Sequence, residues 1–309
     1  MVAKRRVPRS VFDYTDGASE TETSLRRSRA AFARLEFVPR VLRDVSEVDL
    51  STTIQGRHAS MPLVFAPTGF TRLMHQEGEA AVVRVAERMG IPFALSTLGT
   101  TSPEDVAAAA PDADRWFQLY LWNDRDAALD LVRRARVAGF RVLILTVDTP
   151  VAGARLRDVR NGFTIPPTLS ARTVLDMALH PGWWFDKLTT EPLRFAVFSE
   201  TGGTVADLID RVFDPSITVD DLRWIREAWD GPIVIKGIQT VVDARLVVDA
   251  GADGIVISNH GGRQLDRAPT PLEQLPAIAA AAARNFWVRA NPQPIRSAED
   301  VMRLLEAAW

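Results

Sequence analysis

The chain has 309 residues, with 37 Lys and Arg against 39 Asp and Glu and a formal net charge of −2. Its 47% hydrophobic and 25% charged residues are those of a globular protein with a sizeable core; they exclude a disordered chain and give no electrostatic case for nucleic acid as a partner. There is no cysteine, which excludes disulfides, thiolate catalysis, iron–sulfur clusters and Cys-ligated zinc, and the four histidines form no H-x-x-x-H pair that would build a metal site.

The first six residues include Lys4, Arg5 and Arg6, but Pro8 and Arg9 fall where a signal peptide carries its apolar stretch. No run approaches the roughly 18 apolar residues of a membrane-spanning helix, so the expected compartment is the cytoplasm. Short apolar runs then recur, each followed by a helical pattern. Strands are predicted at 62–66, 92–95, 116–120, 142–147, 233–236 and 254–258. Helices are predicted at 77–89, 103–109, 124–138, 219–229, 240–250 and 271–283. The runs in 142–147 and 233–236 are continuously apolar, as in strands covered on both faces. Thr218, followed by Asp220 and Asp221, reads as a helix N-cap.

Strand, helix, strand at intervals of about 20–30 residues is the βαβ signature. A doubly wound sheet and a closed (β/α)8 TIM barrel both fit that rhythm. The barrel is favoured because polar residues end nearly every strand: Thr68, Ser96, Gln118 with Tyr120, Thr146 with Asp148, Lys236 and His260. Barrel enzymes assemble their sites at that rim from many strands, whereas a dinucleotide-binding sheet needs a G-x-G-x-x-G turn, which is absent. The rhythm breaks between Asp148 and Ile233. An insertion at about 160–217 carries Trp183, Trp184 and Phe185, and it suits a lid, an oligomer contact, a membrane-surface element or a packed satellite.

The most specific segment is Ser258-Asn-His-Gly-Gly-Arg-Gln-Leu-Asp266. Two glycines beside a His and an Arg let backbone approach a ligand closely. The His suits a base and the Arg a bidentate carboxylate clamp. Asp148 ends a buried strand, where a lone carboxylate is costly and a partner is needed. The chain has only three lysines (Lys4, Lys187, Lys236) and two tyrosines (Tyr14, Tyr120), so each points modestly to a required ammonium or phenol.

In context this segment resembles the signature of the FMN-dependent α-hydroxy-acid oxidase/dehydrogenase family. The resemblance runs from about residue 8 to about 283. It includes Phe12-Asp-Tyr-Thr-Asp-Gly17, Ala66-Pro-Thr-Gly69, His75-Gln-Glu-Gly-Glu79, Leu95-Ser-Thr97, Gln118-Leu-Tyr120, Thr146-Val-Asp148, Gly153-Ala-Arg155 and Ile235-Lys-Gly237. The insertion looks most like the bacterial L-lactate dehydrogenase branch, which passes electrons to quinone or another acceptor. The resemblance implies His260 as base, Asp148 as its partner, and Tyr120 at the substrate oxygen. It implies Arg155, Arg263 and Tyr14 at the substrate carboxylate. It assigns FMN to the backbone of Pro67, Thr68 and Gly69, to Ser96, Gln118, Thr146 and Ser258, and to Lys236 beside the flavin pyrimidine edge. Leu98 stands where plant glycolate oxidases carry Trp, which argues for a different substrate pocket. The resemblance also implies a homo-oligomer, a tetramer in many members, and for some members contact with the inner face of the cell membrane through the insertion.

The pattern departs from the family from about 284. A strand is expected at 286–288, Ile295-Arg296 matches part of the phosphate-binding motif, and Pro292, Gln293 and Pro294 replace its Asp and glycines. A helix is expected at 297–308, so the barrel is expected to lack its last βα unit. The expectation is one domain over 1–309 that oxidises an L-2-hydroxy acid, L-lactate to pyruvate, with FMN. The alternatives are an impaired fragment without the FMN phosphate site and an oxidase using O2.

Overall fold

The computed structural model describes residues 2–162, 171–198 and 213–290. Its helices and strands begin with α1 (Ala3–Arg6), α2 (Arg9–Asp16) and α3 (Thr23–Ala33), then a hairpin of β1 (Thr52–Ile54) and β2 (Arg57–Ala59). The repeating part follows as α4 (Gly78–Met89), β3 (Phe93–Ser96), α5 (Pro103–Ala109), β4 (Arg115–Tyr120), α6 (Arg125–Val137) and β5 (Val142–Thr146). The insertion contributes α7 (Leu156–Arg160), α8 (Ala171–Ala178) and α9 (Pro181–Thr189). The repeat resumes with α10 (Val219–Ala228), β6 (Ile233–Ile238), α11 (Val241–Asp249), β7 (Gly254–Ile257) and α12 (Pro271–Ala290).

Local signals explain where these helices begin. Ser102 accepts from the Asp105 N–H, with Pro103 at the first helical position. Asp124 and Thr240 cap α6 and α11 in the same way, and Thr218 forms a capping box with Asp221. Among the described residues β3 to β7 form one parallel sheet whose spatial order is the chain order. That order, with a helix between neighbouring strands, is the winding of a (β/α) barrel.

The period-2 alternation of the strands separates two faces. Leu95, Phe117, Leu119, Leu143, Leu145, Ile233 and Ile235 pack outward against helices, joined by Trp229, Ile225 and Ile278. Ala94, Trp116, Val142, Ile144 and Val234 form a smaller inner cluster. Continuing the strands along the inner face in steps of two residues reaches Ser96, Gln118 and then Tyr120, Thr146 and Lys236. The register pairs Ser96 with Gln118, Tyr120 with Thr146, and Thr146 with Lys236. Strand periodicity therefore brings these side chains to one end of one face.

Two strand expectations need correction. The run at 62–66 is reduced to a single parallel bridge, Phe65 to Phe93, because Pro62 and Pro67 bracket it and supply no N–H for a ladder. The strand expected at 286–288 is helical: α12 runs on to Ala290. An unbroken run of alanines, 279–283, precedes it, and no Gly or Pro lies between that run and 291 to stop the helix. The segments expected at 292–294, 295–296 and 297–308 lie outside the described residues, as do 163–170 and 199–212 of the insertion.

The N-terminal helices and the described insertion close over the rim. Val7, Val11, Phe70, Leu73 and Phe195 form a second hydrophobic cluster there, with Trp183 and Leu98 against it. The Trp183 indole donates to the Leu73 carbonyl at 2.9 Å, and Lys187 donates to the Arg72 carbonyl.

Candidate active site

A cavity of about 1170 Å³ opens at the C-terminal end of the sheet. Its lining includes Pro67, Thr68 and Gly69 from the turn after Phe65, with Ser96, Lys236 and Ser258 from the strand ends. Tyr14, Tyr120, Arg155, His260 and Arg263 complete the expected set that faces it. Gln118, Thr146 and Asp148 lie beneath this lining. Gln118 Nε2 donates to Thr146 Oγ1 at 2.9 Å, and Gln118 Oε1 accepts from Ser96 Oγ at 3.0 Å. Both buried side chains are thus locked to one another below the floor.

His260 lies in the turn after β7, where His260, Gly261 and Gly262 take φ values of +57°, +65° and +73°. The two glycines accept this region at little cost, while His260 is held in it by its own N–H donating to Ser258 Oγ at 3.0 Å. The turn aims the ring at Asp148, whose Oδ1 lies 2.8 Å from His260 Nδ1. With the Nδ1–H donating to Asp148, Nε2 carries the lone pair; the tautomer follows from the hydrogen-bond network. Nε2 lies 3.4 Å from Tyr120 Oη.

Lys236 Nζ stands 3.3 Å from His260 Nδ1 and 3.9 Å from Asp148 Oδ2. Burial lowers the Lys236 pKa, and Asp148 opposes that shift. Burial also lowers His260, opposed by its hydrogen bond to Asp148 and reinforced by Lys236. The Tyr120 hydroxyl is pushed up by burial and then by the Asp148 charge, so it remains protonated.

The cavity also carries a cationic pair. The guanidinium carbons of Arg155 and Arg263 lie 5.1 Å and 5.2 Å from the centroid of the Tyr14 ring. Arg263 Nη1 donates to the Tyr14 and Gly17 carbonyls at 2.8 and 2.7 Å, so α2 and the 258–266 segment are fixed to one another. Burial lowers the Arg263 pKa, and the neighbouring Arg155 charge lowers it further. Two half-buried guanidiniums that share the Tyr14 ring form a site for an anion.

Three further residues support this arrangement without having been assigned a role from sequence. Asp158 stands 3.6 Å from Arg155 Nε. Its pKa is raised by burial, against the pull of Arg155. Asp266 accepts from the Thr21 and Ser24 N–H groups at 3.2 and 2.8 Å, tying α3 to the catalytic turn. Burial would raise its pKa, but the Thr21 hydroxyl and the Ser24, Thr23 and Arg267 N–H groups hold it well below the carboxylate range. Phe213 packs edge-on against Tyr120 at 6.1 Å. Asp266 was visible as the last residue of the 258–266 segment; Asp158 and Phe213 carried no sequence signal of their own.

The site suits FMN on its donor set and shape. Its size accommodates a cofactor with a substrate. Pro67, Ala66 and Val82 give it apolar surface, while Ser96, Ser258 and the Lys236 ammonium give the polar edge that a flavin pyrimidine requires.

The sequence matches the model of the FMN-dependent dehydrogenase family over residues 3–307. A putative L-lactate dehydrogenase of Mycobacterium tuberculosis is 58% identical over 278 residues, covering 90% of this chain and 67% of the relative. An L-lactate dehydrogenase of Caulobacter vibrioides is 42% identical over 310 residues, covering 98% and 80%. Among solved structures, the monotopic membrane protein (S)-mandelate dehydrogenase superposes with a TM-score of 0.87 at 38% identity, covering 91% of this chain and 76% of that one. Mandelate oxidase gives a TM-score of 0.76 at 42% identity, covering 91% and 73%. The strand-end constellation and these matches agree: the chain belongs to the FMN-dependent dehydrogenase family, with FMN as its cofactor and the oxidation of an α-hydroxy acid as its chemistry.

Proposed function

We propose that this protein oxidises L-lactate to pyruvate and that electrons leave to quinone or another acceptor. The observation that carries the reading is the His260–Asp148 pair, with the Tyr120 hydroxyl beside it, at a cavity that Arg155, Arg263 and Tyr14 also line.

Arg155 and Arg263 bind the substrate carboxylate, and the Tyr14 hydroxyl donates to it. Tyr120 Oη holds the substrate hydroxyl oxygen next to His260. His260 Nε2 then takes a proton from the substrate, and Asp148 stabilises the imidazolium that results. Bound FMN supplies the two-electron acceptor. Pro67, Thr68 and Gly69 would support it through backbone, with Ser96 and Ser258 at its pyrimidine side and Gln118 and Thr146 acting from beneath through the Ser96 hydroxyl. Lys236 would place positive charge there, where negative charge accumulates on reduction.

The domain assignment is a single unit over 1–309 with its insertion at about 160–217. A contact with the inner face of the cell membrane is supported by the insertion. Val174, Leu175, Leu179, Phe185 and Leu188 of the α8–α9 region are exposed. The exposed Lys4, Arg5 and Arg6 stand close in sequence to Arg9, whose N–H donates to Asp176 of α8 at 2.8 Å. A basic cluster that the insertion lacks in sequence is thus supplied by the N-terminus. Among the described residues no helix is long and apolar enough to cross a membrane. A homo-oligomer completes the proposal.

The test is the visible spectrum of the FMN-loaded protein before and after anaerobic addition of L-lactate. Flavin retained through gel filtration and bleached by lactate is the expected result. Flavin that is retained but not bleached would overturn the assigned substrate.

A further inference from the structure

We propose that Glu79, in the first turn of α4, is a positioning residue that sets the apolar wall of the substrate cavity. This inference rests on the reading of that cavity as a 2-hydroxy-acid site.

Glu79 belongs to the 75–79 motif, to which neither the catalytic pair nor the arginine wall assigns a part. Its side chain is buried, at 1% exposure, and it does not line the cavity. A carboxylate at such a depth is costly unless donors surround it. Here they come from one turn. Glu79 Oε1 accepts from the Thr100 N–H at 2.8 Å, and Oε2 accepts from Thr100 Oγ1 at 2.7 Å and Thr101 Oγ1 at 2.8 Å. Bonds of this kind, to an ionised acceptor, are about twice as strong as neutral ones.

The turn held by Glu79 joins the pieces of the wall. The Leu98 carbonyl accepts from the Phe70 N–H at 2.8 Å, and a β-carbon on Gly69 would lie 2.9 Å from Leu98 Cβ. The Gly99 carbonyl accepts from the Ala196 N–H at 3.0 Å, which seats Phe195 with its ring 4.9 Å from Phe70. Thr100 Oγ1, while donating to Glu79, accepts from the Arg72 N–H at 3.2 Å. Leu98, Phe70 and Phe195 all line the cavity that holds His260. Their mutual spacing decides how much room remains for the substrate side chain, and one buried carboxylate fixes the turn that spaces them.

Glutamine replaces this acceptor only in part. Its oxygen can accept from the Thr100 N–H, but its two N–H groups hold the turn only if the Thr100 and Thr101 hydroxyls reverse to accept, and the charge that strengthened all three bonds is gone. The wall then relaxes, and the larger side chain gains more from the added room.

The experiment uses two unreactive carboxylates, propionate and phenylacetate, which are lactate and mandelate without their hydroxyl groups. Their dissociation constants are measured by calorimetry on FMN-loaded parent, Glu79→Gln and Thr100→Val. The expected result is a Kd ratio that moves towards phenylacetate by about tenfold in both variants, the scale on which hydrophobic pockets discriminate between side chains. A merely structural role would lower the melting temperature and leave the ratio where it was. Should Glu79→Gln fail to fold, Thr100→Val reads the same ratio. Parent protein that binds the carboxylates, with the ratio unmoved in the variants that fold, overturns the inference alone. Parent protein that binds neither carboxylate overturns the reading of the cavity, and the inference with it.

Discussion

Gly237 and Asp148 stand so close that no side chain fits between them. A β-carbon on Gly237 would lie 2.6 Å from Asp148 Cβ and 2.7 Å from its carboxyl carbon, and Gly237 has a φ of +114°. Gly237→Ala therefore forces Asp148 away from His260 and strains the backbone, at a cost of about 1–3 kcal/mol in stability. A displacement of 1 Å in a catalytic group costs about 10²-fold in rate. The measurement is anaerobic flavin reduction by L-lactate in a folded variant. A rate within twofold of the parent would show that Asp148 does not need its observed position.

His260→Ala removes the assigned base. Flavin reduction is expected to fall by about 10²–10⁴-fold, the usual contribution of a positioned acid–base group, with FMN still bound. Reduction near the parent rate would eliminate His260 from the chemistry.

The pH profile tests the same pair with a defined sign. The base must be neutral to accept a proton, so kcat/KM falls on the acid side as His260 protonates. Burial holds the His260 pKa below its ordinary value, and the acid limb is expected below pH 6.5. The Asp148 hydrogen bond and charge raise that pKa. Asp148→Asn removes both, so the acid limb moves to still lower pH while kcat falls for want of imidazolium stabilisation. Lys236 acts in the opposite direction on His260. Lys236→Met is expected to move the limb towards higher pH. An acid limb that stays in place in both variants would assign it to another group.

The arginine wall predicts a loss of binding. Arg155→Met and Arg263→Met each remove a charged donor to the substrate carboxylate, worth about 1.5–3 kcal/mol, or roughly 10- to 150-fold in KM. The Arg263 change carries a second effect, because its guanidinium also fixes the Tyr14 and Gly17 carbonyls. Arg155→Met should therefore leave the melting temperature closer to the parent than Arg263→Met. Equal melting temperatures would show that the Arg263 bonds to α2 contribute little to stability.

The residues differ in how readily the sequence disclosed them, for physical reasons. Polar residues such as Ser96, Gln118 and Thr146 were legible because strand periodicity puts them at the end of apolar runs. Their depth was not legible. Burial of Gln118 and Thr146 beneath the floor depends on the register between strands, which no single strand encodes. The predicted strand at 62–66 kept its place beside β3, through Phe65, but its two prolines limited the pairing to one bridge. The helix through 286–288 shows alanine propensity prevailing over the aromatic, strand-like Phe286-Trp-Val288. The apolar wall was least legible. It joins Phe70, Leu98 and Phe195, from 70 to 195 in the chain, through a turn whose shape is set by a carboxylate on α4.

The insertion gives the last prediction. Phe185 and Leu188 are 60% and 75% exposed on α9, while the same helix holds Trp183 and Lys187 against the 71–73 turn. The anchored side and the exposed side can therefore be changed separately. Phe185→Asp with Leu188→Asp adds charge to the exposed side and leaves the cavity wall in place. Sedimentation with vesicles containing anionic lipid is expected to fall sharply, while lactate-driven flavin reduction in solution stays near the parent rate. Lys4, Arg5 and Arg6 add attraction worth about 1 kcal/mol each near an anionic surface, and this attraction is screened by salt. Replacing them with Gln should weaken vesicle binding at low salt and matter less at high salt. Vesicle binding that neither set of substitutions alters would exclude this face as the membrane contact.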